Sequence, residues 1–285
     1  MTTAVITIAH GRHDHLLRQY EALDASLVAP DLVILVAMDD AELATLPFAG
    51  IRPRIVSVPT GELGLPLAAA RNAGARAALD AGADVLVFLD VDCLPSPGLI
   101  GAYTEAARSE SWRNSILCGP VAYLPPPPPG GYDLATVESL ADPHPARPAP
   151  EPRDVTEGDN PSLFWSLSFA VTGATWQRIG GFSEVYEGYG AEDTDFAMTA
   201  DRADVALAWV GGARAFHQYH PTSRPPVQHL DDILRNATLY RQRWGVWPME
   251  GWLEEFARLG LVRWDGDVLE KLERHPKANG AAPTP

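Results

Sequence analysis

The chain has 285 residues, 46% of them hydrophobic, enough to bury a sizeable core in one large α/β domain or two small ones. Its 37 acidic residues against 22 basic ones leave a formal net charge of -15, which argues against a nucleic-acid or anionic-membrane surface, since both need clustered Lys and Arg. Two cysteines, Cys93 and Cys118, are too few for a disulfide framework, and no run reaches the roughly 18 apolar residues of a membrane helix.

Residues 4–9 form a short β-rich run without a basic flank or a cleavage pattern, so no secretory leader and a soluble, cytoplasmic protein are expected. A polar loop follows with His10, Arg12, His13 and His15, then a helical pattern through Leu16, Leu17, Tyr20 and Leu23. The three histidines read as exposed loop residues, whereas Arg12, at the exit of a first strand, can reach a phosphate. Residues 32–37 read as a second strand ending at Asp39 and Asp40, and residues 55–58 as a third. Residues 67–80 have strong helix propensity and carry Arg71-Asn72-Ala73-Gly74. An apolar strand at 85–89 then runs into Asp90 and Asp92, and strands alternating with helices imply a mostly parallel sheet.

Residues 98–108 read as a helix and 116–123 as a strand. From 124 to 152 the chain is rich in proline, with 125–129 unbroken, and a polyproline II segment or mobile loop is expected, either a spacer or a flap. Aromatic and β-branched residues at 163–171 suggest a strand, followed by a turn closing on Gly180-Gly181-Phe182. A flexible aromatic stretch around Tyr186 and Tyr189 then enters a helix that begins at Glu192-Asp193 and runs to about Ala203. Residues 205–210 read as a strand, and His217 and His220 follow. Helices are expected at 228–240 and 249–259, broken by 244–248, and residues 275–285 read as a disordered tail.

On a strand, residues i and i+2 share a face, so Asp90 and Asp92 would present two carboxylates side by side at its carboxyl end, where open α/β sheets bind ligands. Two adjacent anions repel, which suggests a hard cation such as Mg²⁺ or Mn²⁺ held against a phosphate. An acidic turn in a solvated loop is the competing explanation. Likewise Glu192 and Asp193 suit a helix amino terminus, where free N–H groups and the dipole favour carboxylates without any catalytic role.

Taken in order, the acidic strand end, Arg-Asn helix, paired aspartates, Gly-Gly-Phe, Glu-Asp and late histidine resemble the GT-A nucleotide-sugar glycosyltransferases, in particular inverting family 2. Residues 180–217 also resemble the carboxyl-terminal half of galactosyl- and N-acetylgalactosaminyltransferases. The resemblance covers roughly residues 3–220, with the proline-rich stretch unmatched. It implies a Rossmann-like, mostly parallel α/β fold over residues 1–220, divided into a donor half at 1–123, the proline-rich loop at 124–159 and an acceptor half at 160–220, with a helical appendage at 221–274. It implies that Asp39 contacts the nucleotide base, with Asp40 the near alternative, that Arg71 lies beside the nucleotide, and that Arg12 contacts the donor. Asp90 and Asp92 match the DxD motif, the first near the ribose and the second on the metal. His217 completes metal coordination, with His220 competing, and Asp193 is the base, with Glu192 beside it.

The implied reaction is metal-dependent transfer, with Mn²⁺ or Mg²⁺, from a nucleoside diphosphate sugar, a UDP-sugar of galactose type, to the hydroxyl of a small-molecule, peptide or glycan acceptor. A retaining transferase, a sugar nucleotidyltransferase and a non-catalytic sugar-nucleotide binder are the alternatives. The first loop, 10–15, lacks the Gly-rich basic pattern a triphosphate-binding enzyme needs. Oligomeric state stays open.

Overall fold

A computed structural model describes residues 1–273; the expected disordered tail at 275–285 lies outside the described residues. In chain order the elements are β1 (Thr3–Ala9), α1 (His13–Asp24), β2 (Leu32–Met38), β3 (Arg54–Val58), α2 (Leu67–Asp80), β4 (Val85–Leu89), β5 (Cys93–Pro95) and α3 (Leu99–Arg108). There follow β6 (Ile116–Cys118), β7 (Val121–Tyr123), β8 (Asp142–Pro143), β9 (Val155–Gly158), β10 (Ser168–Thr172), α4 (Gly173–Ile179) and α5 (Glu192–Arg202). The chain closes with β11 (Leu207–Val210), β12 (Ala215–His217), α6 (Leu230–Trp244), α7 (Glu250–Arg258), β13 (Val262–Trp264) and β14 (Leu269–Lys271).

Eight strands form the central sheet in the order β3-β2-β1-β4-β10-β6-β11-β9. The first four run parallel, β10 and β9 run against their neighbours, and β6 and β11 are parallel to each other. The fold class is therefore α/β with a mostly parallel sheet. β1 and β4 lie in its interior and are buried along their whole length, which is why they read as continuous apolar runs rather than alternating ones. Side-chain parity divides the interior in two: Ile6, Ile8, Leu86 and Phe88 face one core, Val5, Val85, Val87 and Leu89 the other.

The first core holds an aromatic cluster directly behind the DxD turn. Phe88 stacks on Phe169 at 4.6 Å and Phe182 on Phe196 at 4.3 Å, with Trp176 filling the space between β4 and α5. Burying such rings contributes about 1.5–3 kcal/mol each, so the elements that carry the site are anchored by packing rather than by their polar groups.

Four expectations are corrected. Residues 116–123 are two strands in different sheets: the chain breaks at Gly119-Pro120, where a Cβ on residue 119 would collide with the Ala213 carbonyl and proline offers no N–H to a ladder. The strand expected at 163–171 begins only at Ser168, because Asn160 caps a single 3₁₀ turn over Pro161–Leu163. The proline-rich stretch is neither a spacer nor polyproline alone. It adds β8 to the small sheet β5-β12-β7-β8 and β9 to the edge of the main one, and it buries Leu124, Tyr132 and Val137 with Phe216. The carboxyl-terminal part is also not wholly helical, since β13 and β14 pair as a hairpin against α7. Among the described residues no helix is long and apolar enough to cross a membrane.

Candidate active site

The DxD turn begins where β4 stops. Asp90 to Asp92 lie beyond the strand in a turn closed by Cys93 N–H to the Asp90 carbonyl at 2.9 Å, so strand alternation does not carry through the motif. The two carboxylates consequently meet different partners instead of sitting side by side. Gln19, fully buried on α1, donates to the backbone carbonyls of Asp90 (2.6 Å) and Cys93 (2.9 Å) and accepts from Thr7, which fixes the turn. Sequence reasoning passed over Gln19; its signal is a polar residue on the apolar face of α1 beside Leu16, Tyr20 and Leu23.

Asp92 is 8% exposed and sits among cations and imidazoles. Its Oδ1 lies 3.5 Å from His217 Nε2, and its Oδ2 lies 3.5 Å from His220 Nε2 and 3.3 Å from Arg12 Nη1. The register of the small sheet explains this. β5 pairs antiparallel with β12 so that His217 faces Cys93, and Gln218 N–H donates to the Asp92 carbonyl at 2.7 Å. Burial by itself would raise the Asp92 carboxyl, but the hydrogen bond from His220 and the charges of His217 and Arg12 hold it down at about 2. Burial also lowers the His217 pKa against the pull of Asp92, which favours the neutral imidazole that ligates metals. The ligand atoms of Asp92, His217 and His220 all lie within 4.8 Å of one another, so both histidines, and not His217 alone, could hold a metal ion with Asp92.

Asp90 faces the opposite way, toward α2. Arg71, 4% exposed, donates through Nη2 to Asp90 Oδ1 and through Nη1 to Glu192 Oε1, both at 3.1 Å, and its guanidinium lies over the Phe182 ring at 5.3 Å. Asn72, the next residue, exchanges two hydrogen bonds of 2.9 Å with the Phe182 backbone. A Cβ on Gly181 would lie 2.8 Å from Asn72 Oδ1, and Gly181 itself has φ +80, so glycine is required there. The Arg-Asn and Gly-Gly-Phe elements, far apart in the chain, are thus two sides of one contact. Burial, with Asp92 and Glu192 near, pushes Asp90 up to about 6 in spite of Arg71.

Asp193 follows Ala191, a non-glycine residue at φ 73, onto the first turn of α5. Its Oδ1 accepts from the Thr194 backbone N–H at 2.7 Å and from the Thr194 hydroxyl. Burial and the neighbouring Glu192 nevertheless raise it to about 7. Tyr189 stacks on His229 at 4.5 Å, and burial, then the charges of Asp193, Glu192 and Asp90, push its phenol upward. Asp195, which sequence reasoning did not single out, is an anchor: it accepts from Tyr186, Trp244 and Arg243 at 2.9, 2.7 and 3.1 Å and ties α6 to α5.

The first loop supplies the remaining candidates. Asp39 (φ 50) accepts from the Thr60 hydroxyl at 2.7 Å, while Asp40 accepts from Gly11 N–H and His13 Nε2, both at 2.8 Å. Arg12 is also left-handed, φ 53. Such non-glycine conformations cost about 1–3 kcal/mol each; among the described residues three of the five, Arg12, Asp39 and Ala191, fall in turns that border the candidate residues, and the other two are Asp204 and Met249.

Residues 160–221, the segment from just before β10 to just past His220, match a family model described as the N-terminal domain of galactosyltransferase. The validoxylamine A glucosyltransferases of Streptomyces hygroscopicus subsp. jinggangensis (strain 5008) and subsp. limoneus are 29% identical over 164 residues, half of this chain. The chain spans only 37% and 34% of their respective lengths. The crystal structure of GalNAc-T7 with UDP, GalNAc and Mn²⁺ superposes with a TM-score of 0.51 at 13% identity, covering 77% of this chain and 43% of that one. S. aureus TarS 1-349 superposes with a TM-score of 0.54 at 12% identity, covering 84% and 65%. These neighbours share the GT-A fold with this chain.

Proposed function

We propose that this chain, a glycosyltransferase of GT-A fold, moves a sugar from a UDP-sugar to an acceptor hydroxyl with inversion at the anomeric carbon. The observation that carries the reading is the cluster of Asp92 with His217 and His220, whose ligand atoms lie within 4.8 Å of one another, linked by Arg71 through Asp90 on one side to Glu192, the neighbour of Asp193, on the other. One carboxylate and two imidazoles suit a divalent cation, and the nitrogen donors favour Mn²⁺ over Mg²⁺. When bound there, such an ion supplies Lewis-acid stabilisation of the negative charge that develops on the departing diphosphate.

The protein's own groups do the rest. Arg12 contacts the phosphates, Asp39 and Asp40 close the base end at β2, and Arg71 holds Asp90 toward the donor. As the acceptor oxygen bonds to the anomeric carbon, its proton passes to the Asp193 carboxylate, a transfer worth roughly 10²- to 10⁴-fold. The bond from that carbon to the β-phosphate oxygen breaks, and its electron pair leaves with UDP. Attack from the face opposite the leaving group inverts the centre. Glu192, fixed by Arg71, keeps Asp193 basic enough to accept the proton at neutral pH.

The name of the two curated relatives makes validoxylamine A the first acceptor to try and glucose a first donor sugar beside galactose. The test is thermal-shift binding of nucleoside diphosphates with and without Mn²⁺, on the wild type and on Asp92→Ala. Mn²⁺-dependent stabilisation by UDP that vanishes in the variant supports the reading. A folded wild type that no nucleotide stabilises, with the metal present, overturns it.

A further inference from the structure

The proline-rich stretch brings His144 between two aromatic side chains, Tyr123, which lies beside His217 of the site, and Trp165. Tyr123, on β7, lies 5.0 Å from the His217 ring and 5.9 Å from His144, which in turn meets Trp165 edge-on at 4.7 Å and 88°. The register of β7 with β8 sets Tyr123 opposite Asp142, two residues before His144. All three rings are half-buried. The His144 turn is fixed from within, because Ala146 N–H donates to Nδ1 at 3.2 Å and Arg147 N–H to the His144 carbonyl at 3.1 Å. With Nδ1 accepting, Nε2 carries the proton of a neutral ring, and burial with Arg147 and Arg224 nearby lowers the His144 pKa in the same direction.

Arg147 explains how this stretch is held. Its guanidinium lies over Trp165 at 5.2 Å and over Trp209 of β11 at 4.9 Å. It is 7% exposed, and none of its three side-chain nitrogens has a hydrogen-bond partner. Two aromatic faces are therefore its main attractive partners, and they pin the proline-rich stretch to the main sheet while fixing the plane of Trp165.

We infer that Tyr123, His144 and Trp165 form a wall that binds the acceptor, specifically the face of a polyhydroxylated six-membered ring, a sugar or cyclitol. Flat apolar surfaces edged by a phenol, an imidazole N–H and an indole N–H match the alternating C–H faces and hydroxyl rim of such a ring. The wall stands on the side of the site away from the expected nucleotide-base end, because Tyr123 lies opposite His217 in the register of β7 with β12, 5.0 Å from its ring, whereas Asp39 and Asp40 follow β2, beyond β4 and β1 in the main sheet. Arg147 is a positioning residue for it. The inference rests on the transferase reading for what the bound ring is used for, and on the wall's own geometry for the binding.

The test is calorimetric titration of the full chain, with UDP and Mn²⁺ present, by validoxylamine A, methyl β-glucoside and N-acetylglucosamine. We expect at least one ring to bind the wild type and to bind Trp165→Ala and His144→Ala about 3- to 10-fold more weakly, with thermal stabilisation by UDP and Mn²⁺ unchanged. His144→Ala leaves the Arg147 stack in place and so guards against a folding defect in Trp165→Ala. Arg147→Met should weaken ring binding while Arg147→Lys, which keeps the cation between the rings, should restore part of it. Unchanged ring affinity in both wall variants overturns the inference, as does a wild type that binds none of the three, or a loss of UDP stabilisation in His144→Ala. Ring binding that depends on the wall in a protein that UDP does not stabilise would keep the wall and sink the transferase reading.

Discussion

The two acidic pairs of the site, Asp90 with Asp92 and Glu192 with Asp193, are built alike and end up opposite in character. In each pair one carboxylate is clamped by the same buried guanidinium, since Arg71 takes Asp90 with one nitrogen and Glu192 with the other. The remaining members differ in what they face. Asp92 meets His217, His220 and Arg12 and is held at about 2, whereas Asp193 meets Glu192 and is raised to about 7. The same buried side chain is held ionised where cations and imidazoles face it and driven towards its neutral form where another acid does, and its neighbours decide which.

The sharpest way to break this contrast is to remove the base. Asp193→Asn should lower turnover about 10²- to 10⁴-fold while nucleotide binding with Mn²⁺ persists, and Asp92→Asn should do the reverse, abolishing metal-dependent nucleotide binding in the same thermal-shift assay. Next in size is the shared clamp. Arg71→Met leaves Asp90 and Glu192 buried without their cation and should cost about 3–5 kcal/mol in urea unfolding, with part of the loss recovered by adding Glu192→Gln. His220→Ala and His217→Ala should each weaken Mn²⁺ binding, about 10- to 100-fold by titration calorimetry; no effect at His220 would return the third ligand to His217 alone.

Protonation gives a finer test. Asp193 must be ionised to accept a proton, so turnover should fall as pH drops through about 7. Glu192→Gln removes a like charge and should move that acid limb down by about one unit, read from the pH–rate profile. The stability signs are opposite too. Asp193 has a folded-state pKa above its ordinary 3.8, so its charged form costs stability above about 7, and the cost is relieved as pH falls through that value. Asp92 is depressed, so its contribution is complete above 3.8 and is lost as pH falls toward about 2. The smallest effect expected is at the third acid of α5. Trp244→Phe deletes one hydrogen bond to the buried Asp195 and should cost about 1–2 kcal/mol, with α6 loosened in hydrogen exchange before α5.

Much of this site is legible as residue types in order. Asp90-Val91-Asp92 after an apolar strand, Arg71-Asn72, Gly180-Gly181-Phe182 and Glu192-Asp193 all stand out because the chemistry needs charge or glycine at turns that follow buried elements. What could not be read were the pairings. Gln19 looks like an ordinary helix residue until the Asp90 and Cys93 carbonyls are found above it. Asp195 is one acid among three on its turn, and only α6 shows that it holds Tyr186, Trp244 and Arg243. The proline-rich stretch is opaque for a related reason: its order comes from Arg147 lying between Trp165 and Trp209, a contact with no local periodicity.

The sequence by itself determined the alternation of strands and helices, the buried character of β1 and β4, and the candidate acids, because burial and backbone preference act over a few neighbouring residues and leave a period. Only the tertiary structure decided which carboxylate meets a base and which meets another acid. A pKa depends on charges a few ångströms away in space, and those arrive from β12, the loop before α1, and α2, outside the local sequence of the groups they tune.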